Sequence, residues 1–143
     1  MSDLKEKIYG MIKDYQLVSL GTVTKDDKPW VRYVMMVGEK DLTMKFTTSS
    51  KSRKVAHIKD NSEVHITCGV SDLKTATQYL QIQGKAKISK DKVLRKEMWM
   101  DFHKKYFSGP DDPNFCVGVV KPYRIELFSM SSHKPLIWEK KKK

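Results

Sequence analysis

Two neighbouring segments of this chain concentrate the side chains that could bind a phosphate. The first places a single cation, Arg32, in front of the apolar residues 33–37. The second ends a strand-like run in hydroxyls and then adds cations: Thr47, Thr48, Ser52, Arg53 and Lys54. Hydroxyls, free N–H groups at a helix N-terminus and Lys or Arg side chains are the groups that bind a phosphate dianion. The sequence therefore predicts an anion site where the two segments meet.

Each segment also has an ordinary structural explanation. An arginine such as Arg32 can extend along a strand to reach solvent, or can pair with a carboxylate. The hydroxyl-rich run can simply cap a basic helix that begins near Ser52. Both explanations stay open from the residues alone, although a hairpin would bring the two segments together.

Other kinds of chemistry find less support in the sequence. The four histidines share no short spacing, which argues against a local metal site. Cys68 and Cys116 lie far apart in apolar runs, so we expect two buried free thiols. No acid–base pair or activated nucleophile is visible, and redox chemistry would need a bound cofactor.

The elements that must position these residues are mostly strands. Alternating apolar residues predict strands over 17–24, 30–37, 42–48, 63–69, 77–89, 115–120 and 123–130. Helical spacing predicts helices over 3–15, 51–59 and 91–106. Gly84 suggests a bend or bulge in the strand over 77–89, and Lys121-Pro122 is expected to separate the last two strands. Because most links are too short for parallel crossovers, we expect a mainly β fold, an antiparallel β-barrel with flanking helices.

Length and charge restrict the remaining possibilities. The 143 residues predict a single domain over 1–143, whose basic tail 140–143 is expected to be disordered. The net charge of +11 includes the four lysines of that tail, and the other cations form no stripe with exposed aromatics. We therefore expect no specific nucleic-acid partner. The absence of a long apolar run and of a signal-peptide pattern predicts a cytoplasmic protein without membrane association.

Arg32-Tyr33-Val34-Met35-Met36-Val37, followed by Phe46-Thr47-Thr48 and Ser52-Arg53-Lys54, resembles a known flavin-binding signature. It is that of the pyridoxamine-phosphate-oxidase-like superfamily. The long strand around Gly84 and the loop 107–113 resemble its general stress protein branch, and the likeness spans residues 17–138. The resemblance implies a Greek-key split barrel that forms a homodimer, with FMN held at the subunit interface.

The resemblance also implies roles for individual residues. Those expected around the FMN phosphate are Arg32, Ser52, Arg53 and Lys54. Those expected to line the isoalloxazine are Val34, Met35, Met36 and Val37. Thr47 and Thr48 would bond the ribityl chain or the ring. Tyr79 stands where the family's oxidases often present a glutamine from the second subunit.

Departures from the family pattern narrow the implied reaction. Val37 stands where the true oxidases carry a lysine that helps to bind substrate, and their C-terminal Arg-x-His region has no counterpart here. The resemblance therefore implies a flavin-dependent oxidoreductase or flavin reductase-like protein linked to stress, with NAD(P)H as a possible reductant, and not a vitamin B6 oxidase. The alternatives are a non-catalytic flavin store or sensor, and a barrel that binds a deazaflavin or haem.

Overall fold

The computed structural model of the chain describes residues 3–141. Three α-helices and a short 3-10 helix accompany seven strands. The helices are α1 (Asp3–Ile12), α2 (Arg53–Asp60), α3 (Lys92–Met98) and the 3-10 helix Asp101–Lys105. The strands are β1 (Gln16–Val23), β2 (Pro29–Gly38), β3 (Met44–Ser49), β4 (Glu63–Cys68), β5 (Gln78–Ser89), β6 (Phe115–Ser129) and β7 (Leu136–Glu139).

Six of the strands close into an antiparallel barrel. The hydrogen-bonded order is β3-β2-β1-β4-β5-β6, and pairing of β3 with β6 joins the two ends. Strand β4 lies beside β1 and not beside β3, which is the Greek-key arrangement. Strand β7 pairs with the second half of β6 outside this ring. The predicted antiparallel barrel with flanking helices is confirmed.

Side-chain alternation along the strands fills the barrel. On β2, Val34 and Met36 are buried while Tyr33 is exposed. Burying each large apolar side chain contributes roughly 1.5–3 kcal/mol. At one point the packing requires glycine: a Cβ on Gly118 would overlap the ring of Phe46, which is fully buried. The core therefore sits inside the barrel, between the faces of β1 to β6.

The prediction of two separate strands at the C-terminal end is wrong, because β6 runs without interruption through Lys121-Pro122. The register between β5 and β6 shifts at Gln83/Gly84, and Gly84 pairs with Pro122. A Cβ on Gly84 would lie 3.2 Å from the Pro122 Cα, so the glycine gives room for the proline. The bulge that Gly84 suggested is confirmed, and it is what keeps the proline within the strand.

The predicted helix 91–106 is also corrected. Helix α3 ends at Met98, and the chain continues as the separate 3-10 helix. The break is stabilised by His103, whose Nδ1 accepts a hydrogen bond from the Met100 N–H at 2.9 Å. This contact replaces the backbone acceptor that a continuous helix would supply.

At the C-terminus, the sequence pattern did not predict β7. The Lys140 N–H donates to the Tyr123 carbonyl at 3.0 Å, so the pairing with β6 extends to the first residue of the basic tail. Lys142 and Lys143 lie outside the described residues. Within residues 3–141, none of the helices is long and apolar enough to cross a membrane.

Candidate functional site

Arg32 lies at one end of the barrel, on the same face of β2 as the core residues Val34 and Met36. Its Nη1 donates to the Thr22 hydroxyl at 2.7 Å, to the Trp30 carbonyl at 3.1 Å and to the Leu20 carbonyl at 3.2 Å. All three acceptors are neutral. Burial, together with the charge of Arg53, lowers the pKa of Arg32. The guanidinium is therefore held in place without its charge being neutralised.

The start of α2 brings a second group of polar side chains to the same end of the barrel. Ser52 occupies the N-cap position, but its side chain caps no helix N–H. Its hydroxyl instead donates to the Ser49 carbonyl at 2.8 Å and lies 3.0 Å from Thr48 Oγ1. No acidic residue stands in the first turn of α2. The positive end of this helix is consequently open to an anion.

Lys54 connects the helix with β3. Its Nζ donates to Thr48 Oγ1 at 2.8 Å, and the side chain is half-buried. Burial lowers the pKa of Lys54, and the nearby positive charge of Arg32 lowers it further. Both causes disfavour the ammonium form in the free protein, and an added anion would reverse the second cause.

Arg53 completes the group of cations. Its guanidinium lies over the Trp30 ring, 5.2 Å from the ring centroid. Over residues 3–141, no ion pair joins Arg32, Arg53 or Lys54 to a carboxylate. The structure thus gathers three positive charges and does not neutralise them, which excludes the carboxylate pairing considered for Arg32.

Two residues that sequence reasoning missed lie against Arg32. The buried Thr22 accepts from Arg32 and lies 2.8 Å from Nδ1 of His57, and Arg32 Nη2 is 3.5 Å from that same nitrogen. If Nδ1 of His57 is the acceptor, the Thr22 hydroxyl accepts from Arg32 and donates to His57, so each of these contacts joins a donor to an acceptor. A sequence signal for His57 existed, because it stands four and three residues after Arg53 and Lys54 on one helix.

The remaining predicted site residues divide between the two faces of the sheet. Val34 and Met36 are buried in the core, so they could offer a ligand only their backbone, whereas Met35 and Val37 lie half-buried on the outer face. Thr47 lies on the opposite face of β3 from Thr48, and its hydroxyl is 2.9 Å from Nε2 of His103. This contact was not predicted from the sequence.

The histidine beside Thr47 has a defined hydrogen-bonding role. Because its Nδ1 accepts from Met100, its Nε2 carries the proton and donates to the Thr47 hydroxyl. Burial lowers the pKa of His103, which favours this neutral form. Thr47 therefore keeps its own hydroxyl proton to donate elsewhere.

The two cysteines are buried and free, as predicted. Burial raises the pKa of the Cys68 thiol to about 12 and also raises that of Cys116. Both thiols are therefore poor nucleophiles in the folded chain. The chemistry that the site offers by itself is anion binding.

Several solved structures share the fold at low sequence identity. An FMN binding protein related to pyridoxamine 5'-phosphate oxidase, from Nostoc punctiforme, superposes with a TM-score of 0.68 at 16% identity, covering 85% of this chain and 78% of that one. An F420 reductase gives 0.65 at 20% identity, covering 81% and 93%. A heme binding protein from Mycobacterium smegmatis gives 0.73 at 13% identity, covering 97% and 59%. At this identity the likeness shows the fold alone.

Closer relatives identify the family. The chain is 31% identical to General stress protein 26 of Bacillus subtilis over 137 residues, which cover 96% of each chain. The crystal structure of General Stress Protein 26 from Bacillus anthracis superposes with a TM-score of 0.82 at 28% identity, covering 96% of this chain and 99% of that one. The family model for pyridoxamine 5'-phosphate oxidase matches residues 4–129. The resemblance predicted from the motifs is confirmed, and the chain belongs to the pyridoxamine 5'-phosphate oxidase family.

Proposed function

We propose that this protein binds FMN and acts as a flavin-dependent oxidoreductase or flavin reductase-like protein linked to the stress response. The observation that carries the proposal is the unneutralised group of cations at the end of the barrel. Arg32, Arg53 and Lys54 meet the hydroxyls of Thr48 and Ser52 beside an uncapped helix N-terminus. A dianionic phosphate is the ligand that satisfies all of these groups together.

In this proposal each residue has a defined task. Arg32, Ser52, Arg53 and Lys54 hold the FMN phosphate, and Thr22 with His57 keeps Arg32 in position. Met35 and Val37 present side chains to the isoalloxazine, while Val34 and Met36 offer backbone groups. Thr47, held by His103, and Thr48 bond the ribityl chain or the ring. The bound flavin would supply the hydride or electron transfer that these side chains cannot perform.

The test compares FMN with riboflavin, which has the same ring and ribityl chain but lacks the phosphate. Quenching of flavin fluorescence on titration with the purified protein gives both dissociation constants. We expect FMN to bind at least about 100-fold more tightly, since two or more charge-assisted hydrogen bonds each contribute roughly 1.5–3 kcal/mol. Equal affinities, or no binding of either flavin at micromolar concentration, would rule out the proposed phosphate site.

A second experiment asks whether the bound flavin turns over. Loss of the flavin absorbance on anaerobic addition of NADH or NADPH would support an oxidoreductase that uses a nicotinamide reductant. If FMN is retained but neither reductant bleaches it, the non-catalytic store or sensor becomes the better description. The F420 reductase and the heme binding protein of the same fold favour testing a deazaflavin and haem in parallel.

We further propose that the protein is a homodimer with FMN at the subunit interface. The outer face of the β1–β2 hairpin exposes Leu17, Val31 and Tyr33, by 65%, 64% and 78% of their surfaces. The pairing of β1 with β2 places these residues together on one side of the sheet, where a second copy would cover them.

The two buried free thiols fit a reducing compartment, which supports the expected cytoplasmic location.

Sedimentation equilibrium tests the dimer. We expect Tyr33→Glu to give a monomer with reduced FMN affinity, because the charge would be buried at the interface. Tyr106→Glu is the matched control, since Tyr106 is 75% exposed in the 3-10 helix region. A wild-type monomer, or a Tyr33→Glu variant that stays dimeric, would contradict this interface.

A further inference from the structure

A buried arginine outside the proposed flavin site has an incomplete set of partners. Arg95 in α3 is only 8% exposed, and its Nε has no hydrogen-bond acceptor among the described residues. Its Nη1 reaches only the Asp112 carbonyl, at a long 3.4 Å. Buried guanidinium groups are normally paired with an anion, because an uncompensated buried charge is costly.

The carboxylate of Asp112 does not fill this role. The side chain of Asp112 accepts from the N–H groups of Ser108 and Asn114, at 2.9 and 2.8 Å, and from the Ser108 hydroxyl at 3.3 Å. Its oxygens therefore serve to shape the loop before β6. Arg95 is left with the backbone of that residue and not with its charge.

The arginine lines a cavity that carries a net positive charge. The cavity has a volume of about 410 Å³ and is lined by Lys92, Val93, Arg95, Lys96 and Asp111. Within residues 3–141, none of the three cations takes part in an ion pair. Three positive side chains thus face one carboxylate, in a space large enough for a small anionic group and its water.

We propose that this cavity is a binding site for an oxyanion, the phosphate or carboxylate group of a small molecule, with Arg95 as its buried anchor. Lys92 and Lys96 are exposed on α3 and surround the anion from the solvent side, while Asp111 limits its affinity. A guanidinium suits this task because its N–H fork matches the oxygens of either group. None of the lining residues belongs to the proposed flavin site.

The two sites are nevertheless electrostatic neighbours. The charges of Arg95 and Lys54 both act on the Cys116 thiol, where they oppose the rise in its pKa that burial causes. An anion at Arg95 would therefore offset part of the positive charge near the start of β6. The proposal itself stands on the cavity and on the unpaired arginine, whether or not FMN binds at Arg32.

The Nε–H signal of Arg95 in a ¹H–¹⁵N spectrum tests the proposal, after assignment by its loss in Arg95→Lys. Titration with inorganic phosphate should shift this signal along a saturating curve, whereas sodium chloride at equal ionic strength should not. Acetate in a parallel titration distinguishes a carboxylate site from one selective for phosphate. The signal is local to Arg95, so phosphate bound at Arg32 would not mimic the result.

Surface variants that leave the buried arginine intact make the test independent of folding. Lys92→Gln and Lys96→Gln should each weaken phosphate binding about threefold, and Asp111→Asn should strengthen it by a similar factor. Lys104→Gln, on the exposed surface of the 3-10 helix, is the matched control and should change nothing. A linear drift that chloride reproduces, or affinities that ignore all three variants, would overturn the proposal.

Discussion

Substituting Lys54 by methionine tests the proposed FMN site, because it separates the stability of the free protein from the proposed affinity for FMN. In the free protein the ammonium group donates one hydrogen bond to Thr48, but burial and the charge of Arg32 both disfavour it. Methionine has a similar length and lacks the charge. We therefore expect Lys54→Met to cost little stability and much affinity.

The structure sets the scale of both effects. A hydrogen bond from a charged group contributes roughly 1.5–3 kcal/mol, but here desolvation and repulsion offset most of it. The Thr48 hydroxyl also keeps its contact with Ser52 in the variant, so it is not left unpaired. We expect the free energy of unfolding to fall by less than about 1 kcal/mol. Loss of the proposed contact to the phosphate should weaken FMN binding by about 2 kcal/mol, or roughly 30-fold.

The assay combines urea unfolding of the free protein with fluorescence titrations of FMN and riboflavin. Because the pKa of Lys54 is lowered from 10.5 in the folded state, the unfolded chain binds its proton more readily. Wild-type stability should therefore rise with pH between the folded value and 10.5, and Lys54→Met should lose this contribution. Lys59→Met in the same helix is the matched control, since Lys59 is exposed.

Two results would refute this reasoning. If Lys54→Met bound FMN as tightly as the wild type, Lys54 would not contact the phosphate. If the variant lost affinity for riboflavin and FMN equally, the effect would come from a disturbed pocket and not from charge. Riboflavin affinity should change less than about twofold in either lysine variant.

Three further predictions concern packing, pH and thiol chemistry. Gly118→Ala should lower the free energy of unfolding by about 1–3 kcal/mol, because the new methyl would overlap the Phe46 ring. Gly21→Ala is the control and should be tolerated, since its new methyl meets its nearest neighbour at 3.6 Å. Urea unfolding compares the two variants. The pKa of His103 in the folded protein is lowered from its ordinary value of 6.5. The stability that neutral His103 contributes is therefore present above pH 6.5 and is lost as the pH falls towards the pKa of the folded state. Unfolding curves of His103→Asn should depend less on pH in this range. Because both cysteines are buried and burial raises the pKa of each thiol, both should react with a thiol reagent only on unfolding, and rapid labelling of the native protein would contradict their burial.

Local patterns in the sequence predicted the strands of the barrel well. Alternation predicted the strand over 30–37 that the structure contains as β2, and the isolated glycine in β5 indicated a bend or bulge. These features depend on neighbours within a few residues, which is the range that periodicity reports.

The features that were missed depend on contacts between distant parts of the chain. The helix after β5 ends early because the His103 ring, which also contacts Thr47 of β3, takes the Met100 N–H, and Pro122 stays within β6 because Gly84 makes room for it. Propensity alone favours a continuous helix and a strand break at these two places. Tertiary packing decided both.

The same limit applies to the candidate site. The sequence identified the cations Arg32, Arg53 and Lys54 because they stand in two short segments. It did not identify Thr22 or His57, which meet Arg32 only when β1 and α2 pack together beside β2. Thr22 lies on another strand and carries no local signal, whereas His57 stands on the same helix as Arg53 and Lys54 and could have been found by its spacing.

The pairing of β3 with β6 has a consequence for synthesis of the chain on the ribosome. Thr48 pairs with Cys116, so one edge of β3, the strand that carries Thr48, has no partner until residues far along the chain have left the exit tunnel. The first strands can already form their meander while that edge of β3 stays open. A ligand held by Thr48 and Lys54 would therefore stabilise the finished barrel and could not act as an early template for the nascent chain.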